Sequence, residues 1–284
     1  MKLSEMQRLL SERGIRLTKS LGQNFLHDAN QLRRIVAAAE LTKRDKVLEI
    51  GPGLGPLTEL LLAGAGHVLT IEKDARLVEV LRQQFKSLLV INNPQLTLLH
   101  ADALEYLRRE PGNWFDWKVV ANLPFSVASR ILVELAQAQQ PPQRMVVTLQ
   151  LEVAKRLMSK PGDNDYGVLT LLVQLDYEPR NWFKIPASCF FPRPDVDSAC
   201  IVLMRRPKPL LQDTQRQAFL KLVKRAFSQR RKKMIKLLKP DWAEEQLESA
   251  FGALRLPLSA RAEDLGLEQF VRLAQTLCTC AVEK

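Results

Sequence analysis

Lys46-Val47-Leu48-Glu49-Ile50-Gly51-Pro52-Gly53-Leu54-Gly55-Pro56 is a short aliphatic run, then three alternate glycines and two prolines. The run has the length and composition of a buried strand, and Pro56 suits the first turn of a helix. Glycines between the two let the backbone turn sharply. Working outward, strands are predicted at His67–Ile71, Gln95–Leu99, Trp117–Ala121 and Met145–Leu149, with helices near 56–63, 75–86 and 126–137. This alternation is that of a mostly parallel sheet with crossover helices. After a helix at 152–158 and a loop with Pro161, Gly162 and Asp163, two β-rich runs, Leu169–Leu175 and Ser198–Met204, flank the proline-rich stretch 185–196. With no crossover helix between them, they are expected to pair antiparallel at the sheet's end. Beyond Arg205-Arg206-Pro207-Lys208-Pro209 the pattern is helical only, at 215–238, 242–251 and 267–277. A boundary near residue 207 is therefore expected, giving domains 1–207 and 208–284.

Of 284 residues, 46% are hydrophobic, enough for a sizeable core, and 42 Lys and Arg against 31 Asp and Glu leave a net charge of +11. That balance favours a polyanionic partner, nucleic acid before membrane. No stretch approaches the roughly 18–20 apolar residues of a membrane span, and residues 1–20 mix polar with apolar and include Glu5 and Glu12. A leader is not expected, and the protein reads as cytoplasmic. Cys189, Cys200, Cys278 and Cys280 are too few for a disulfide scaffold, and the last two stand closer than zinc pairs do. A reduced, metal-free protein is expected, with His27, His67 and His100 scattered.

Gly51, Gly53 and Gly55 end a strand and open a helix, where a ligand meets backbone N–H groups. The loop lacks the last glycine of the dinucleotide pattern, which weakens a dehydrogenase reading. A tight turn alone would also use these glycines. Glu72, about twenty residues on, is placed to accept from ribose hydroxyls, and Asp102 after the third strand from an adenine amino group. As a solvated acid at a strand end, Glu72 has a plainer reading. Two acids and no cation in the loop suit a nucleoside without phosphates, such as S-adenosylmethionine.

Asn122-Leu123-Pro124-Phe125 follows the fourth strand. The lone pair of an exocyclic adenine amine is delocalised into the ring, so the amine attacks a sulfonium methyl poorly. Acceptors for its protons, the Asn122 side-chain oxygen and the Leu123 carbonyl, favour a pyramidal nitrogen. Pro124 stiffens the turn, and Phe125 offers a face to an extruded base, with stacking worth about 1–3 kcal/mol. No general base is needed, because the proton can leave to water.

With Gly22-Gln23-Asn24-Phe25-Leu26, Glu49–Gly55, Asp102-Ala103, Asn122–Phe125, Phe191-Pro192-Arg193-Pro194-Asp195-Val196-Asp197-Ser198 and Ala226-Phe227-Ser228-Gln229-Arg230-Arg231-Lys232 in this order, the chain resembles the small-subunit rRNA adenine dimethyltransferases over nearly its whole length. The resemblance implies an α/β fold: a Rossmann-like class I S-adenosylmethionine methyltransferase sheet, mostly parallel with an antiparallel end, and a small all-helical C-terminal domain. It implies methylation of two adjacent adenosines near the 3′ end of small-subunit rRNA, in a partly assembled subunit. Asn24 and Leu26 are expected to help close the cofactor site, Gly51 to lie against the methionine part, and Asn122 to sit at the methyl. Phe190 is expected to sandwich the base against Phe125. The family's tetrapeptide commonly ends in Tyr, so no hydroxyl role carries over to Phe125.

Between Arg205 and Lys239 stand thirteen basic residues and one acid, Asp213. Helical spacing of Phe219, Leu222, Val223, Ala226 and Phe227 leaves Lys221, Lys224, Arg225, Arg230, Arg231, Lys232 and Lys233 for RNA phosphates. A merely solvated face is the plainer reading. Basic charge reads no sequence, so target choice falls to shape or assembled partners. The alternatives are a large-subunit rRNA adenine methyltransferase of the resistance type and a non-catalytic RNA-binding assembly factor. A monomer is expected, since no long apolar stripe demands a partner.

Overall fold

A computed structural model describes residues 1–18, 22–89, 95–109, 112–229 and 231–279. The chain forms two compact units, Met1–Ala154 with Glu178–Arg205, and Lys155–Tyr177 with Arg206–Lys284. The second unit thus takes in a segment from well before residue 207. Among the described residues no helix is long and apolar enough to cross a membrane.

In the first unit α1 (Leu3–Glu12), β1 (Phe25–Leu26) and α2 (Ala29–Ala39) precede the sheet. Asp28 caps α2 by accepting from the Asn30 and Gln31 amides, both at 2.9 Å. The strands β2 (Lys46–Ile50), β3 (His67–Glu72), β4 (Leu96–His100), β5 (Trp117–Asn122) and β6 (Arg144–Gln150) alternate with α3 (Pro56–Gly64), α4 (Ala75–Gln84), α5 (Ala103–Arg109) and α6 (Ala128–Ala136). After α7 (Leu151–Met158) and α8 (Val168–Gln174) come β7 (Tyr177–Ile185), β8 (Phe190–Phe191) and β9 (Ser198–Arg205). The sheet order is β4-β3-β2-β5-β6-β9-β7, and β1 pairs separately with β8. Strands β4 to β6 run parallel, and β9 lies antiparallel to β6.

The chain leaves β2 toward β3 on one side and returns to β5 on the other. Ligands of open α/β sheets bind at such a reversal, beyond the strands' carboxyl ends. Val47, Val68, Val120 and Val146 from neighbouring strands pack with Ile35 of α2 and Leu61 of α3, all fully buried. Burial at about 25 cal/mol per Å² of apolar surface makes this face rigid enough to hold the loops above it.

Two expectations fail. The run Leu169–Leu175 is helix, not strand: Thr170, Leu171, Leu172 and Val173 are all buried, and an apolar run enclosed on every side carries no period. The edge strand next to β9 is instead Tyr177–Ile185, whose exposed Arg180, Asn181, Trp182 and Lys184 conceal it in the sequence. The helix expected at 215–238 is two, α9 (Asp213–Ala226) and α10 (Met234–Leu238). Residues 228–233 contain no apolar side chain, so a helix there would bury nothing. Helices α11 (Glu244–Ala253) and α12 (Leu267–Thr279) complete the second unit. Its core includes Phe219, Leu222, Phe251 and Phe270, and Arg216 grips Asp176 through two hydrogen bonds of 2.7 and 2.5 Å.

Candidate active site

The register Lys46↔His67 and Val68↔Leu96 aligns the ends of β2, β3 and β4, and Asn122↔Thr148 sets the end of β5. One edge therefore carries Gly51, Glu72, Asp102 and Asn122. They line a cleft enclosing about 810 Å³, part of it open to solvent. Asn24, Gly53, Leu123 and Pro124 also line it. Leu26 and Gly55 do not: Leu26 is buried in the core, and Gly55 caps α3 where a Cβ would stand 2.9 Å from the Phe85 ring.

Gly51 and Gly53 adopt φ of 71° and 62°, a region costly for residues with a Cβ. A Cβ on Gly53 would lie 2.6 Å from the Phe25 ring. The loop is thus shaped as much by the protein's own N-terminal segment as by any ligand.

Glu72 is nearly buried. Its Oε1 accepts from the Lys73 and Asp74 amides, each at 2.9 Å, and its Oε2 from the Gly53 amide at 3.2 Å. Burial raises its pKa against the pull of those N–H groups. Asp102 caps α5 by accepting from the Leu104 amide at 2.9 Å and receives Lys73 Nζ at 2.8 Å. The ammonium holds its carboxyl below the usual range. Lys73 and Gln23 also line the cleft; Lys73 stands in no motif, and Gln23 stands in the Gly22–Leu26 segment, where the resemblance assigns it no role.

Glu49 lies below the loop with Thr58 Oγ1 donating to it at 2.7 Å, and burial pushes its pKa up to about 8. The folded protein keeps this proton where the unfolded chain has lost it. Its contribution to stability is complete below about pH 4.5 and lost as pH rises toward 8, at about 1.4 kcal/mol per pH unit. Glu49→Gln removes that slope, so its thermal midpoint should gain on wild type between pH 5 and 8 and hold the gain above; parallel curves in melts across this range would contradict it.

Asn122 Nδ2 donates to the Asn24 carbonyl at 2.9 Å, and the Leu123 amide donates to Thr148 O at 3.0 Å. The Asn122 Oδ1 is buried with no hydrogen-bond partner. An unsatisfied carbonyl oxygen costs about 1–3 kcal/mol until a donor reaches it. Phe125 is half-buried and meets Phe190 edge-on at 6.3 Å and 65°. Phe190 is itself buried, so in this arrangement no base fits between the rings.

In the second unit Lys221, Lys224, Arg225, Arg231, Lys232 and Lys233 are exposed, while Arg230 lies outside the described residues. Lys221 and Arg225 both hold Asp241, at 2.9 and 2.5 Å. This acid falls just beyond the basic stretch that the sequence marks out.

The family model described as ribosomal RNA adenine dimethylase matches residues 14–278. Ribosomal RNA small subunit methyltransferase A of Latilactobacillus sakei is 37% identical over 95% of this chain and 93% of that protein. The protein of that name from Geobacter metallireducens is 37% identical over 93% of this chain and 96% of its own. Among solved structures, the 23S rRNA methyltransferase ErmE is 28% identical, with a TM-score of 0.66, covering 89% of this chain and 99% of its own. A dimethyladenosine transferase from Plasmodium falciparum has a TM-score of 0.71 at 23% identity, covering 88% of this chain and 95% of its own, and shares the fold.

Proposed function

We propose that this chain, which belongs to the ribosomal RNA adenine dimethylase family, converts two adjacent adenosines near the 3′ end of small-subunit rRNA to dimethyladenosines. The observation that carries this reading is the unpartnered Asn122 oxygen beside a cleft lined by Glu72 and Asp102. The residues present fit S-adenosylmethionine: Gly51 and Gly53 bare their backbone, Glu72 is positioned for a ribose, Asp102 for an adenine edge, and Asn24 closes over them. When bound, this cofactor supplies an electrophilic methyl on a sulfonium.

Asn122 Oδ1 and the Leu123 carbonyl accept hydrogen bonds from the target amine, which turns its lone pair out of the ring. The Asn122 amide cannot flip without losing its bond to Asn24 O. Phe125 stacks the base; Phe190 joins only if the two rings part. The proton of the methylated amine leaves to water.

ErmE supports a large-subunit reading less well, because relatives named for the small subunit match at higher identity over more of the chain. The target is a partly assembled small subunit, met by a monomer in the cytoplasm. Offered undermethylated small and large subunits side by side, the protein is expected to methylate the small; methylation of the large alone would overturn the assignment.

The basic segment holds the RNA by its phosphates. Replacing Arg231, Lys232 and Lys233 together by Ala should weaken subunit binding and flatten its log–log salt dependence by about 2–3 in slope, roughly 0.7–0.9 per phosphate contact. Lys221→Ala should do less, since Asp241 already engages that cation. Filter binding across a salt series measures both, and an unchanged slope in the triple variant would remove this segment from the interface.

A further inference from the structure

The N-terminal strap, Arg16–Thr18 and Gly22–Phe25, is tied down away from the Asn122 amide. Gln23 Nε2 donates to Asp74 Oδ2 at 2.9 Å, and Gln23 Oε1 accepts from the Thr18 amide at 2.9 Å. Asp74 also caps α4 through the Arg76 amide at 3.0 Å and takes the Arg76 guanidinium at 2.9 and 2.6 Å. Arg76 in turn donates to Arg16 O at 3.0 Å and to Thr18 Oγ1 at 3.2 Å. One buried acid and its arginine thus gather both ends of the strap. Arg76 holds the Asp74 carboxyl down to about 2, so it stays charged.

The tie continues to the site on both sides. One residue beyond Gln23, the Asn24 carbonyl accepts from Asn122 Nδ2; two residues beyond, Phe25 covers Gly53. On the other side, the Asp74 amide donates to Glu72 Oε1 at 2.9 Å. We infer that the Gln23–Asp74 pair is a latch that fixes the strap over the cofactor and, through the Asn24 carbonyl, sets the orientation of the Asn122 amide. Both are positioning residues, acting through Glu72, Asn24 and Phe25. The inference rests on the proposed reading that the cleft takes S-adenosylmethionine.

Three variants test it: Gln23→Ala, Asp74→Ser, which still caps α4 but is too short for Gln23, and the two combined. Radiolabelled S-adenosylmethionine is bound, chased with unlabelled cofactor, and its release timed; single-turnover methyl transfer and thermal midpoints are measured alongside. Each single variant is expected to release cofactor about tenfold faster and to transfer methyl more slowly at saturating cofactor. The double variant should lose less than the sum of the two singles, because the Gln23–Asp74 bond is broken in both and counts once. Asp74→Asn keeps one of the two accepting oxygens, so it should release cofactor more slowly than Asp74→Ser and faster than wild type. Release within twofold of wild type in both singles, additive effects in the double, or lowered midpoints with unchanged release would each overturn the latch. Wild type that fails to retain the cofactor would contradict the proposed function and the latch with it; wild type that retains it, with variants releasing no faster, overturns the latch alone.

Discussion

Asn122→Ala is expected to bind S-adenosylmethionine within about fivefold of wild type and to transfer methyl at least roughly 10²-fold more slowly, the scale seen when one hydrogen-bonding group aimed at developing charge is removed. The side chain offers one oxygen, enclosed and unpartnered, and one amide nitrogen already committed to Asn24 O. Its loss therefore removes an acceptor for the amine while leaving Glu72, Asp102 and the glycine loop in place. An interaction made only with the reacting nitrogen shows in kcat rather than in cofactor affinity. Asn122→Asp keeps an accepting oxygen but gains a charge and loses the bond to Asn24 O, and should fall between wild type and the alanine variant. Calorimetric titration with cofactor and a single-turnover assay decide the matter. Loss of cofactor binding in step with loss of transfer would make Asn122 a binding residue only.

Gly53→Ala should weaken cofactor binding by about tenfold or more and lower the thermal midpoint. Two costs combine. The residue sits at a φ of 62°, where a non-glycine costs roughly 1–2 kcal/mol. The new methyl would stand 2.6 and 2.7 Å from two carbons of the Phe25 ring, and overpacking of that kind costs about 1–3 kcal/mol. Phe25 cannot easily yield, being buried among Met6, Leu10, Leu54, Leu77 and Val80. A smaller side chain at position 25 relieves only the second cost, so Gly53→Ala with Phe25→Leu should recover part of the affinity. Gly51→Ala is expected to be milder in packing, its Cβ meeting Pro124 Cγ at 3.2 Å. Affinity and midpoint equal to wild type in Gly53→Ala would mean that the loop and strap are not held against each other.

The sheet was legible because its strands are short apolar runs punctuated by glycine, proline and helix. Lys46–Ile50 matches the reading from sequence, and His67–Glu72 and Trp117–Asn122 extend it by one residue. Once strand ends are known, Gly51, Glu72, Asp102 and Asn122 fall on one edge without further information. Leu169–Leu175 was misread because a run buried all round has no period. The strap's role was legible only through family resemblance, and its ties were not legible at all. Asn24 and Asn122 stand 98 positions apart and meet through a backbone carbonyl, which any residue supplies. Gln23 and Asp74 are likewise ordinary polar residues until the fold brings them together. Asp241 shows the same limit for charge counting: an acid just outside the basic stretch pairs with two cations within it.

The most direct test of the central claim is the identity of the product. Undermethylated small subunits are incubated with the protein and methyl-labelled S-adenosylmethionine, and the rRNA is digested to nucleosides and resolved by mass spectrometry. The label should appear in dimethyladenosine, with both methyl groups on the exocyclic nitrogen. Label on a ribose oxygen, on a ring carbon or on another base would contradict it, because the Asn122–Phe125 turn would then not be presenting an adenine amine to the methyl.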